Sequence, residues 1–394
     1  MKVLRGFYGS KRCWRRLELA ALVTMTILCL LMFFRSNTQD QTVKLSRKGR
    51  KEVAEARTAP TVPTSPPAPP PTLPPTPKCE RNESAFNISG FSSLPGNIQD
   101  FLLYKHCRDF PILLDVPRKC GGARNSGNIF LLLVIKSSPA NYERRAVLRK
   151  TWAAERLQSG KWIRTVFISG TSGKGFEKER LNKLLEIENR EHRDVLQWDF
   201  DDSFYNLTLK QMLFLSWMER RCPDARFLLN GDDDIFANTN NVVEFLKGLD
   251  DDQGSRHLFV GHLIYNVGPI RDPGSKYFIP VQVQESERYP PYCGGGGFLL
   301  SLFTARTIHN QSRSIGLLPI DDVYMGMCLE RAGLRPEPHM GIRLTGLRVP
   351  SENVDSYNPC FYREILLVHR FIPHQIFFMW HEVNRKDLNC SVTL

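Results

Sequence analysis

Three consecutive carboxylates, Asp232, Asp233 and Asp234, follow an apolar run in FLLNGDDDIF (227–236). Side by side they repel one another, so they belong either in a solvated turn or around a cation. Carboxylate oxygens are the ligands that hard divalent ions prefer. Mg2+ or Mn2+ held there keeps open positions that a diphosphate can fill. The competing explanation is an acidic loop, or a helix start whose dipole favours Asp. DDQGS (251–255), among Gly and Ser with no strand leading in, reads as that ordinary case. A second acidic pair, Asp321 and Asp322, opens LLPIDDVYMGMCLERAGL (317–334), where an amphipathic helix follows. The pair can be a plain N-cap. In a site that handles a sugar nucleotide, one of the two takes a proton from the attacking hydroxyl. A metal group plus a separate base is the inventory of an inverting glycosyl transfer.

Between the acidic motifs lies ERYPPYCGGGGFLLS (287–301). The run Gly294, Gly295, Gly296 and Gly297 is entropically costly. It is expected to let backbone N–H groups approach a ligand, with Tyr289 and Tyr292 offering faces to sugar rings. A hinge or tight turn is the plain alternative.

These residues need a scaffold, and the segment around them alternates strand and helix signals. NIFLLLVIKS (128–137), IRTVFISG (163–170), DVLQWDF (194–200) and ARFLLN (225–230) are short apolar runs that read as strands. NYERRAVLRKTWAAER (141–156), EKERLNKLLEIENREH and LTLKQMLFLSWMERRC (207–222) read as helices between them. This rhythm implies a mostly parallel α/β sheet, whose ligands bind beyond the carboxyl ends of the strands. The Asp triplet stands at such an end. Lys136 ends the first strand and is placed to neutralise diphosphate charge, as are Arg144, Arg145 and Arg149, some of which must form the exposed face of their helix.

The chain has 394 residues, 42% apolar, with net charge +12. That length allows one large or two ordinary domains with a real core. The surplus charge suits phosphate-bearing ligands, membranes or acidic glycans, but much of it lies near the N-terminus. Residues 1–16 carry six basic residues and no acid, ahead of LELAALVTMTILCLLMFF (17–34). Eighteen such residues span about 27 Å as a helix, near the thickness of a thin bilayer. Bulky Phe33, Phe34 and Arg35 leave no cleavage site, so an uncleaved signal-anchor with a cytosolic tail is expected. Residues 35–78 include APTVPTSPPAPPPTLPPTP, an extended stem. A lumenal domain is expected over 79–394. Its eight cysteines suit an oxidising compartment, and no C-x-x-C pair suggests zinc. Sequons at Asn82, Asn87, Asn206, Asn310 and Asn389 agree with that side of the membrane.

Taken together, FLLLVIKSSPANYERRAVLRKTW, FLLNGDDDIFAN, YPPYCGGGGFLLS, IDDVYMGMCLE and CFYREILLVHR resemble the Golgi β-1,3-glycosyltransferases. That family holds β-1,3-galactosyltransferases and β-1,3-N-acetylglucosaminyltransferases. FLLYKHCRDFP (101–111) and YPPYCGGGGF look most like the N-acetylglucosaminyltransferase branch, its core 1-extending kind above all. The resemblance implies a GT-A fold, a Rossmann-like sheet flanked by helices. It also implies UDP-GlcNAc as donor, Mn2+ (or Mg2+) as cofactor and a β-galactose-terminated glycoprotein or glycolipid as acceptor. Residue by residue, it implies that Asp234 binds the metal and that Asp232 and Asp233 face the nucleotide sugar. It makes Asp322 the base. Relatives have Glu-Asp where this chain has Asp-Asp, which keeps Asp321 as a rival. His369 in LLVHR completes the metal site by resemblance, although a core histidine on a strand would look the same. The expected setting is the Golgi membrane, single-pass type II, alone or with other Golgi transferases, and not nucleic acid. A UDP-Gal-using β-1,3-galactosyltransferase and a non-catalytic lumenal glycan-binding protein are the alternatives.

Overall fold

The computed structural model describes residues 79–251, 253–344 and 358–390. The expected tail 1–16, anchor 17–34 and stem 35–78 lie outside the described residues, among which no helix is long and apolar enough to cross a membrane. Strand β2 (Ile129–Lys136) is buried along its whole length, as its unbroken apolar run requires when both faces are covered. It pairs in parallel with β4 (Lys161–Thr171) and β6 (Phe227–Asp232), and β4 pairs in parallel with β5 (Val195–Asp201). Helices α2 (Tyr142–Lys150), α3 (Gly175–His192) and α4 (Leu207–Arg221) make the crossovers. This parallel centre is what the strand–helix alternation implies.

Beyond β6 the sheet changes character. Strand β9 (Tyr292–Ser301) runs antiparallel to β6, and β8 (Phe259–Ile264) antiparallel to β9. Short strands β1 (Ile112–Leu114), β3 (Arg156–Gln158) and β10 (Glu337–Pro338) complete nine strands, in the order β1-β5-β4-β2-β6-β9-β8-β10 with β3 beside β4. The sheet is therefore mixed rather than mostly parallel. A second sheet, β11 (Ile342–Arg343), β12 (Leu367–His369) and β7 (Ile235–Ala237), sits against it.

Alternate residues of β2 divide the core. Leu132 and Val134 face one apolar layer with α4, α6 (Leu302–Ser312) and α7 (Asp321–Arg331). Leu131, Leu133 and Ile135 face a second with α2, α5 (Thr239–Lys247), α9 (Pro373–Val383) and the small sheet. Helix α2 stops at Lys150, short of the expected 156. Trp152 is fully buried with its Nε1–H donating to the Ile235 carbonyl at 3.0 Å, and this anchor draws the chain out of the helix. Six of the eight cysteines pair, as Cys79–Cys107, Cys120–Cys222 and Cys360–Cys390. Cys293 and Cys328 remain buried thiols in the core, so the even count overstated the disulfides. Asp251 accepts from the backbone of Gln253 and Arg256 and from Ser255 Oγ, the structural loop expected there.

Candidate active site

The Asp triplet does not start a helix. Asp232 is the last residue of β6, and Asp233 and Asp234 form the turn into β7. Because β12 pairs with β7, with His369 opposite Ile235, the imidazole is carried to this turn. His369 Nε2 lies 3.0 Å from Asp234 Oδ1 and 3.7 Å from Asp232 Oδ2. One ligand atom from each of these three residues falls within 4.8 Å of the others. Asp234 Oδ1 is buried, and no donor meets it at hydrogen-bonding angles despite its closeness to His369. Two carboxylates, one with an unsatisfied buried oxygen, and an imidazole fit a divalent cation with an oxygen-rich shell. Burial works against the charge on Asp234, but His369 and Arg144 hold its carboxyl below the usual range.

Asp233 turns the other way. It accepts from Ser137 Oγ at 2.7 Å and Asn141 Nδ2 at 2.8 Å, with Arg144 Nη1 at 3.3 Å. Burial raises its pKa nonetheless. Ser137 and Asn141 are polar partners that sequence reasoning missed. Their signal was available, since SSPAN directly follows the carboxyl end of β2. Arg145 and Arg149, expected on a diphosphate, are committed elsewhere. Both pair with Glu188 of α3, and Arg149 also with Asp194. Helical periodicity explains this: residues 145 and 149 share the face of α2 turned to the core, leaving Arg144 toward the acidic turn.

Lys136 is the hub between the two acidic motifs. Its Nζ lies 3.0 Å from Asp232 Oδ1 and 2.8 Å from Asp321 Oδ2, with the Gly295 carbonyl at 3.4 Å. Burial alone would lower its pKa. The Asp232 and Asp321 carboxylates reverse that and hold the ammonium well above its ordinary range. Asp321 is therefore the buried counter-ion of Lys136 rather than a cap, and the capping position belongs to Ile320. Asp322 accepts from Gly295 N–H at 2.8 Å through Oδ2 and from Val323 N–H through Oδ1. Burial, then the neighbouring charge of Asp321, pushes the Asp322 carboxyl up to about 7. That is where a general base works best near neutral pH.

The four glycines are strand residues of β9, not a mobile loop. A Cβ on Gly296 would stand 2.7 Å from the His369 ring, and one on Gly294 or Gly297 would strike Leu344 or Leu367. Their bareness lets the small sheet and its imidazole press onto β9. Both backbone groups of Gly295 are themselves occupied, its N–H by Asp322 and its C=O by Lys136. The tyrosines also differ from expectation. Tyr289 is 8% exposed with its ring in the core, so it presents no open face. Its hydroxyl is buried and unpartnered, and burial with the Asp322 charge nearby pushes it up to about 12. Tyr292 is half-buried, edge-on to it at 6.4 Å. Among the sequons, Asn82, Asn87, Asn310 and Asn389 are exposed, and Asn206 is half-buried.

Residues 143–339 match the model of the galactosyltransferase family. Human N-acetyllactosaminide β-1,3-N-acetylglucosaminyltransferase 3 is 54% identical over 79% of this chain and 82% of its own length. The chain belongs to the galactosyltransferase family. The human acetylgalactosaminyl-O-glycosyl-glycoprotein β-1,3-N-acetylglucosaminyltransferase is 51% identical over 80% of this chain and 81% of its own. The mouse UDP-GlcNAc:βGal β-1,3-N-acetylglucosaminyltransferase 7 is 42% identical over 80% and 78%. A galactosyltransferase crystallised with donor and acceptor sugar analogues covers 64% of this chain and 95% of its own at 10% identity, with a TM-score of 0.34, too low a likeness to carry weight. Within the family, the chain is an enzyme, and these three relatives are all β-1,3-N-acetylglucosaminyltransferases.

Proposed function

We propose that the enzyme transfers N-acetylglucosamine from UDP-GlcNAc to the 3-hydroxyl of a terminal β-galactose, with inversion, in extending O-glycans or poly-N-acetyllactosamine. The observation that carries this reading is the pairing of two acidic centres through one lysine. Lys136 pairs with Asp232 of the cation group and with Asp321, whose neighbour Asp322 is poised near neutrality. The names of the relatives point to the same donor and acceptor. We read the mixed sheet with its helices as a GT-A fold.

Asp232, Asp234 and His369 would hold a divalent cation, and a nitrogen ligand among oxygens favours Mn2+ over Mg2+. Bound there, the ion supplies charge that stabilises the departing diphosphate. Arg144 at the same turn adds a cation to the donor side. Asp322 takes the proton from the galactose 3-hydroxyl, and that oxygen attacks the anomeric carbon from the face opposite UDP. An α-linked donor thus gives a β product without a covalent enzyme intermediate. Lys136 donates to the carbonyl of Gly295, the residue whose N–H binds Asp322, so it helps position the base while neutralising Asp232. Residues 17–34 anchor the enzyme in the Golgi membrane, and 35–78 hold the domain in the lumen.

The test is a panel of UDP-sugars with the detergent-extracted full chain, Mn2+ and a galactose-terminated acceptor. Transfer from UDP-GlcNAc giving a β-1,3 linkage supports the proposal. Preference for UDP-Gal would replace it with the galactosyltransferase alternative.

A further inference from the structure

A cavity of about 770 Å3 lies between α1 (Gly96–Tyr104), the segment 107–111, the carboxyl end of β5 and the start of α4. None of Asp232–Asp234, Asp322 or His369 lines it. Its wall mixes the rings of Tyr104, Phe110 and Tyr205 with the carboxylates of Asp100, Asp109 and Asp201. Apolar ring faces beside carboxylate acceptors suit sugars, which offer C–H faces and hydroxyl donors. Asn206 is part of the same wall, and its sequon is N-L-T. The Asn206 Nδ2 atom donates to the Asp201 carbonyl at 2.9 Å, so the atom that would carry a glycan sits beside the cavity's rim. The sequon's Thr208 is buried, with its hydroxyl donating to the Leu318 carbonyl. That hydroxyl is available to a glycosylating enzyme only before the chain folds. A glycan added then is a tethered ligand of high effective concentration when the cavity forms around it.

We propose that this cavity is the seat of an N-glycan rooted on Asn206, whose first N-acetylglucosamine packs inside it and ties the segment 97–111 to β5 and α4, while the rest of the glycan extends into solvent. Attachment forms a bond between Nδ2 and the anomeric carbon and breaks that carbon's bond to the pyrophosphate of a lipid-linked oligosaccharide. The pyrophosphate leaves with the bonding pair, one Nδ2 proton goes to solvent, and the other N–H remains to donate. The glycan is then a structural element, unlike one on the exposed Asn310.

The inference rests on the secretory route proposed above, and one experiment separates the two. The full chain is made in cells restricted to oligomannose glycans, and occupancy of each sequon is read by mass spectrometry. Native protein is then treated with peptide-N-glycosidase. Release at Asn206 is expected to be at least about tenfold slower than at Asn310, because it requires local opening, and equal after denaturation. Endoglycosidase trimming to a single N-acetylglucosamine should leave Tm unchanged, whereas Asn206→Gln should lower Tm by about 2 °C or more and Asn310→Gln should not. Occupancy at Asn310 with none at Asn206, or equal native release at the two sites, overturns the inference and leaves the secretory reading standing. No occupancy at any sequon overturns both. An Asn206→Gln protein of unchanged Tm that chitobiose then stabilises would overturn it in favour of a separate glycan chain.

Discussion

At the residue scale, each carboxylate of the two motifs has its own partner, so each substitution has its own signature. Asp234→Asn keeps the size and removes a charge from the cation group. It should abolish transfer and weaken Mn2+-dependent UDP binding, read by titration calorimetry, with the fold intact by circular dichroism. Asp322→Asn keeps a carbonyl for Gly295 N–H but loses the proton acceptor. It should lower kcat by about a hundred- to ten-thousand-fold while donor affinity holds. In the parent enzyme the base is active when deprotonated and its carboxyl sits at about 7, so activity should fall as pH drops below that value. Asp321 raises that carboxyl by its charge, so Asp321→Asn should move the acid limb of the pH–rate profile to lower pH. The same change removes one counter-charge from buried Lys136, a cost of about 1–3 kcal/mol read by urea denaturation. An unmoved limb would separate Asp321 from the base.

At the element scale, the site depends on how closely β12 and β9 approach. Gly296→Ala puts a methyl into the His369 ring, so either the ring or the strand must shift. Mn2+ affinity should fall while the buried core of β9, Phe298 to Leu300, keeps its hydrogen-exchange protection. Helices α2 and α3 are joined by a different device. Arg145 and Glu188 form a nearly dry pair, their side chains 1% and 2% exposed. Glu188→Ala leaves Arg145 buried without a carboxylate and should cost about 3–5 kcal/mol in urea denaturation. Because Arg145 also donates to Ser137, which in turn donates to Asp233, the Michaelis constant for the donor should rise in the fraction that remains folded.

At the scale of the whole molecule, charge and function are separated along the chain. Fourteen of the 53 basic residues but only four of the 41 acidic ones precede Cys79, so the +12 surplus belongs mostly to the expected tail, anchor and stem. The catalytic unit is nearly neutral, and its cations are spent internally, as at Lys136, Arg145 and Arg149. The expressed full chain should sediment with membranes and resist carbonate extraction. A soluble product beginning just after residue 35 during early synthesis would contradict the anchor. The disulfide Cys120–Cys222 closes a separation of 102 residues across the sheet's N-terminal side. Replacing both cysteines with alanine should cost about 2–5 kcal/mol.

Features that depend on local pattern were legible in the sequence alone. The apolar run of 129–136 can only be a doubly covered strand, and the helices between such runs force parallel neighbours. The sequence also put the Asp triplet at a strand's carboxyl end, where ligands collect, and the Asp321–Asp322 pair at the start of a helix. Tertiary structure decided everything that depends on which face a side chain shows and which distant strand arrives beside it. Arginines 144, 145 and 149 look alike in sequence, but only rotation around α2 sends Arg144 to the acidic turn and the others to Glu188. The pairing of β12 with β7 gave His369 its place, and the direction of Lys136 turned Asp321 from a cap into a counter-ion. The glycines of β9 show the same limit. Their run announced a close approach, but only packing revealed that the approaching group is the protein's own imidazole. Local propensity acts over a few residues, whereas these contacts join strands far apart in the chain, whose register is set by burial of the whole sheet.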